Sequence, residues 1–180
     1  MDRLNGKPRL ATAWLGGCSG CHMSFLDLDE RLIDLAGLTQ LLASPLTDFK
    51  DFPEADITLV EGAVANEEHL MQIHTIRKRT RILIAFGDCA VTGNVPALRN
   101  LFGVEDVLNR AYRETATVVA GVPVGSAAVP RLLPRVRPVH EVVKVDYFLP
   151  GCPPSAAEIF RLVAALIEGG PLPADERRFG

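Results

Sequence analysis

Four short, mostly apolar runs, at residues 9–15, 57–60, 81–86 and 145–149, each give way at once to a glycine-bearing turn: Gly16-Gly17, Glu61-Gly62, Gly87 and Pro150-Gly151. Runs of this length closed by glycine read as strands buried on both faces. Segments with helical spacing lie between them. Ser24 stands where a helix cap is expected, before Phe25, Leu28, Leu32 and Leu35, with Gly37 as a stop. Asn66 precedes a segment with Glu67 and Glu68 in its first turn and Arg77, Lys78 and Arg79 in its last, a polarity that suits a helix dipole. Residues 104–113 read as helical. Ser155-Ala156-Ala157-Glu158 forms a capping box before the stripe Ile159, Leu162, Val163 and Leu166, and Gly169-Gly170-Pro171 ends it. Residues 40–46 read as one more strand. Strands that alternate with helices predict an α/β protein with a flavodoxin-like, doubly wound parallel sheet. A single domain over 1–180 is expected. Pro123, Pro130, Pro134 and Pro138 predict an irregular excursion over 114–144, and the chain from 173 reads as a polar tail.

Every cysteine in the sequence falls at one of those strand ends. Cys18 and Cys21 lie in Gly17-Cys18-Ser19-Gly20-Cys21-His22, Cys89 in Gly87-Asp88-Cys89, and Cys152 in Pro150-Gly151-Cys152-Pro153-Pro154. Parallel sheets of this kind bind ligands beyond the carboxyl ends of their strands. The segment 1–8 has no apolar signal core and no twin arginine, so a cytoplasmic chain with reduced thiols is expected. A formal charge of −3 with a pI near 5.8 argues against a nucleic-acid partner. No apolar run reaches the length of a membrane span.

Four reduced thiols on three loops admit several readings. Each can be a small buried hydrophobe. Cys18 and Cys21 before a helix can form a redox dithiol, which leaves Cys89 and Cys152 idle. Structural zinc usually shows two close pairs, whereas this chain has one pair followed by two single cysteines. An iron–sulfur cluster takes thiolates from several directions, and glycine-rich loops with helix N-termini suit its negative charge.

The segment 17–27, together with Val60-Glu61-Gly62, Gly87-Asp88-Cys89 and Leu149-Pro150-Gly151-Cys152-Pro153-Pro154, resembles the nickel–iron hydrogenase small-subunit family. The resemblance is to its short form in the soluble NAD-reducing enzyme, and it covers nearly the whole chain. It implies that Cys18, Cys21, Cys89 and Cys152 ligate one proximal [4Fe-4S] cluster. That cluster would relay electrons between the nickel–iron site of a large subunit and a diaphorase module carrying further clusters, flavin and NAD. On this reading the chain is an electron-transfer component of hydrogen dehydrogenase, with no catalytic residue and no nickel site of its own. In the related respiratory complex I subunit two ligand cysteines are adjacent; here Ser19 and Gly20 separate them. Small subunits of coenzyme-F420-reducing or sulfur-reducing hydrogenases are the alternative within the family. A Cys-x-x-Cys dithiol oxidoreductase and a zinc-stabilised binding module are the alternatives outside it.

Several other residues bear on the site. Glu61 is expected near the cluster or the subunit junction, against the plainer reading of an exposed or salt-bridged carboxylate. His22 is read as a donor to a cluster sulfur or a tuner of its potential, against the plainer reading of a surface or cap residue. His69 and His74, five apart, are not expected to pair. Trp14 is expected in the wall or core near the site, and Arg131, Arg135 and Arg137 on a solvated or partner-facing surface. FMN is not expected on this chain, because the first loop, which holds phosphate in flavodoxins, is taken up by thiols. A large partner is expected to cover the cluster end together with parts of 91–144.

Overall fold

The computed structural model describes residues 6–47, 51–119, 121–122 and 128–169. Its main sheet has five parallel strands. They are β1 (Arg9–Trp14), β2 (Gln40–Ala43), β3 (Ala55–Glu61), β5 (Thr80–Phe86) and β7 (Tyr147–Leu149), in the spatial order β2-β1-β3-β5-β7. Counted along this sheet alone the order is 2-1-3-4-5, the flavodoxin-like winding that the alternation predicted.

Period-2 alternation sorts the central strands between two cores. Ile57 and Leu59 of β3, with Ile84 and Phe86 of β5, face one side. There they meet Phe25 of α1 (Gly20–Leu26), Leu35 of α2 (Arg31–Leu38) and Ile159, Leu162 and Val163 of α7 (Ala156–Glu168). Val60, Leu83 and Ala85 face the other side, against Ile73 and Ile76 of α3 (Glu67–Arg79) and Ala90 of α4 (Asp88–Thr92). Each fully buried Leu, Ile or Phe stabilises the fold by about 1.5–3 kcal/mol. Both cores therefore hold the strand ends, and the loops they carry, in fixed relation.

The caps follow the sequence in two helices. The Asn66 side chain accepts from the His69 N–H at 2.8 Å, and Ser155 and Glu158 complete a reciprocal capping box. The first helix departs from expectation. Ser24 is not its cap: α1 starts at Gly20, with Ser19 in the left-handed region at φ 65°. A second positive-φ residue, Asp29, separates α1 from α2, and α2 runs through Gly37 to Leu38.

The excursion 114–144 is not all irregular. Within it β6 (Leu132–Arg137) pairs antiparallel with β4 (Val64–Asn66) in a separate two-stranded sheet. Pro134 lies inside β6, and such a proline is tolerated because the strand is paired on one side only. A short α5 (Asn94–Ala97) follows α4, and the expected helix is present as α6 (Val104–Tyr112). The polar tail from 173 lies outside the described residues. No described helix is long and apolar enough to cross a membrane.

Candidate metal centre

Immediately after Glu61 the chain turns through Gly62, at φ 89°, and runs back along the first loop. Leu15 N–H donates to Glu61 O at 2.8 Å, and Gly16 and Ala63 exchange both backbone bonds at 2.9 and 2.8 Å. A Cβ on Gly62 would lie 2.9 Å from the carbonyl carbons of Leu15 and Gly16, so only glycine fits here. This crossing sets the Gly17–Cys18 turn beside the Glu61 carboxylate.

Glu61 is 1% exposed. One oxygen accepts from the Cys21 N–H at 3.4 Å; the other accepts from the His22 N–H at 3.0 Å and lies 2.5 Å from His22 Nδ1. The carboxylate therefore holds the start of α1, where free N–H groups and a positive dipole end favour an anion. His22 is buried with its ring edge-on to Phe86, and its Nε2 has no hydrogen-bond partner among the described residues. It is neither a surface residue nor a cap.

The other two loops are tied together by Asp88. Its carboxylate accepts from the Gly151 N–H at 2.7 Å, its own N–H donates to Gly151 O at 3.0 Å, and Gly87 N–H donates to Leu149 O at 2.8 Å. The Ser24 hydroxyl donates to Pro154 O at 2.6 Å, joining the first loop to the third. The Cys152–Pro153 peptide is cis. Asn94 Nδ2 lies 3.6 Å from Cys152 Sγ, within reach of an N–H···S bond. Ser24, Asp88 and Asn94 serve the site without having been singled out for it in the sequence. Only Asp88 carried a signal, its place in Gly87-Asp88-Cys89.

All four thiols are free and share one neighbourhood. Burial pushes the Cys21 thiol up, and the charges of Glu61, Cys89, Cys18 and Cys152 push it further. Cys89 is raised by burial and then by Cys18, Cys152 and Glu61, with a backbone hydrogen bond from Val95 opposing. The Cys21 and Cys89 thiolates are thus disfavoured by the sulfurs around them, and a cationic group at the site would relieve that repulsion. Among the described residues no three of His, Cys, Asp and Glu close on a point suited to a single metal ion. Glycine backbone packs directly against two of the sulfurs. A Cβ on Gly87 would lie 2.1 Å from Cys21 Sγ, and one on Gly20 would lie 3.3 Å from Cys18 Sγ.

The remaining expectations divide. Trp14 is not core: it is 44% exposed at the end of β1, its indole beside Gly17. His69 is turned to the Ala65 N–H and Asn66, and His74 is exposed, so the two do not pair. Arg131 and Arg135 are exposed and Arg137 is half-buried. Val95, Leu98, Leu101 and Phe102, just beyond Cys89, are all more than half exposed.

The chain belongs to the family described as NADH ubiquinone oxidoreductase, 20 Kd subunit, whose model matches residues 18–166 and so takes in all four cysteines. Hydrogenase subunits are among its relatives. It is 46% identical to the NAD-reducing hydrogenase HoxS subunit delta of Cupriavidus necator, over 97% of this chain and 86% of that one. It is 38% identical to a subunit of the F420-non-reducing hydrogenase of Methanothermobacter marburgensis, where the match covers 91% of this chain and 54% of the relative. The fold matches the crystal structure of an NAD+-reducing [NiFe]-hydrogenase in the H2-reduced state. The TM-score is 0.91 at 43% identity, over 97% of this chain and 99% of that one. The resemblance drawn from the Cys-x-x-Cys and Pro-Gly-Cys-Pro-Pro segments is borne out.

Proposed function

We propose that this chain is the small subunit of an NAD-reducing nickel–iron hydrogenase and holds one [4Fe-4S] cluster on Cys18, Cys21, Cys89 and Cys152. The observation that carries this is that three strand-end loops bring Cys18, Cys89 and Cys152 close enough to Cys21 for their charges to be felt there. The donor chemistry fits: four cysteine sulfurs, with glycine backbone packed closely against Cys21 and Cys18. When bound, the cluster supplies one-electron uptake and release.

The protein's own groups do the rest. Glu61 fixes the backbone of Cys21 and His22, so the first loop is set before anything binds. Asp88 and Ser24 hold the loops of Cys89 and Cys152 against it. Phe86, Leu149 and Phe25 close the apolar floor and exclude water from the Cys21 side. Cys18 and Cys152 remain exposed, so the centre opens outward. A large nickel–iron subunit covers this end, using the apolar surface of Val95, Leu98, Leu101 and Phe102. Diaphorase subunits carrying flavin and further clusters complete a cytoplasmic assembly. Hydrogen chemistry resides on the large subunit, and FMN is not assigned to this chain.

Protein purified without oxygen should be brown and contain iron and acid-labile sulfide in equal amounts, roughly four of each per chain. It should co-purify with a nickel-containing subunit. Zinc in place of iron, or full activity after Cys89→Ser and Cys152→Ser, would sink the assignment.

A further inference from the structure

Among the described residues three that are not glycine adopt positive φ: Ser19, Asp29 and Asn94. Asn94, at φ 32°, directly follows Gly93 at φ 86° and lies five residues beyond Cys89. A non-glycine residue in such a conformation costs free energy and persists where its surroundings hold it. Here two contacts hold it. The Asn94 N–H donates to Thr92 Oγ1 at 3.3 Å, and Asn94 Nδ2 lies 3.6 Å from Cys152 Sγ. The second contact reaches across 58 residues of sequence, from the loop after Cys89 to the loop of Cys152.

We propose that Asn94, through its side-chain N–H toward Cys152 Sγ, sets the reduction potential of the centre. The inference rests on the cluster reading above. Sulfur is a weak acceptor when neutral and a stronger one as negative charge builds on it. Reduction adds one electron to the centre, and part of that charge falls on its thiolate sulfurs. An N–H aimed at one of them therefore favours the reduced form over the oxidised form. Cys152 is exposed and carries no other hydrogen bond among those described, so the Asn94 donor is not one of many. Once the neighbouring apolar surface at Val95 and Leu98 is covered, the lower local dielectric strengthens the bond.

Two substitutions separate tuning from structural support. Asn94→Gly removes the donor and accepts positive φ without strain, so folding is undisturbed. Asn94→Asp keeps the shape and replaces the donor with a negative charge. Each is made in the complete enzyme, with iron and acid-labile sulfide measured first and the potential then read by a spectroscopic redox titration. Asn94→Gly should keep full loading and lose up to about tenfold in the one-electron reduction equilibrium, a downward shift of up to about 59 mV. Asn94→Asp should shift the potential further in the same direction. A loaded Asn94→Gly protein with wild-type potential would overturn the tuning role and leave the cluster reading standing. Loss of loading in Asn94→Gly would also overturn it, making the residue a support for the loop. Wild-type enzyme without iron and sulfide on this chain would overturn both.

Discussion

Gly87→Ala tests the geometry of the thiol site at a single atom. Gly87 has φ 83° and ψ 161°, a region that is almost exclusively glycine's and costs another residue about 1–3 kcal/mol. The added methyl would also lie 2.1 Å from Cys21 Sγ, far inside any real contact distance. If the backbone yields, overpacking adds about 1–3 kcal/mol, for a total of about 2–6 kcal/mol. With a urea dependence of about 2 kcal/mol/M, the denaturation midpoint should fall by about 1–3 M. If the sulfur yields instead, Cys21 turns away from Cys89, the midpoint moves less and iron binding is lost. The assay is therefore double: urea denaturation of the metal-free chain, and iron per chain after reconstitution. Gly37→Ala is the control. Gly37 sits within α2 with nothing within 4 Å of its added methyl, so alanine should stabilise by about 0.5–1 kcal/mol and leave iron unchanged. A Gly87→Ala protein with wild-type midpoint and wild-type iron would refute the close approach of Gly87 to Cys21.

Further predictions follow from the buried charges and the exposed apolar face. Burial alone would raise the Asp146 carboxyl, but the Leu83 N–H and the Arg77 guanidinium outweigh it and hold it below the usual range. That stabilisation is complete above the unfolded carboxyl pKa and is lost as pH falls through the lower folded value. Asp146→Asn should therefore cost about 1.5–3 kcal/mol at pH 7, and denaturation curves of variant and wild type should draw together in strong acid. A gap independent of pH would contradict this. Glu61→Gln removes a negative charge that disfavours the Cys21 and Cys89 thiolates. In the metal-free protein the high-pH part of the ultraviolet thiolate titration, where these raised thiols ionise, should move to lower pH, though burial, the larger cause, keeps them raised; no shift, or an upward one, would show that the carboxylate is not felt there. Leu101→Asp, at a side chain that is 77% exposed, should leave stability within about 0.5 kcal/mol and sharply reduce co-purification of the nickel-containing subunit. Unchanged recovery of the complex would move the interface elsewhere.

Much of this protein is written in local sequence. The buried strands were legible because β3 and β5 carry short, mostly apolar runs closed by Glu61-Gly62 and Gly87. The caps at Asn66 and Ser155 were legible because a cap is a contact between residues three apart. Strands that alternate with helices leave few windings, and the cysteines at strand ends then had to meet along one edge of the sheet. What the sequence could not reveal depends on contacts between distant segments. β6 was hidden by Pro134 and the prolines that flank it, and exists through pairing with β4, more than sixty residues earlier. Ser24 looked like a cap because its partner, Pro154 O, lies 130 residues away. The burial of Glu61 against α1 and the reach of Asn94 to Cys152 were likewise decided in space. Periodicity and capping act within a turn or two of chain, whereas the surroundings of the thiols are made by three loops that only the closed sheet brings together.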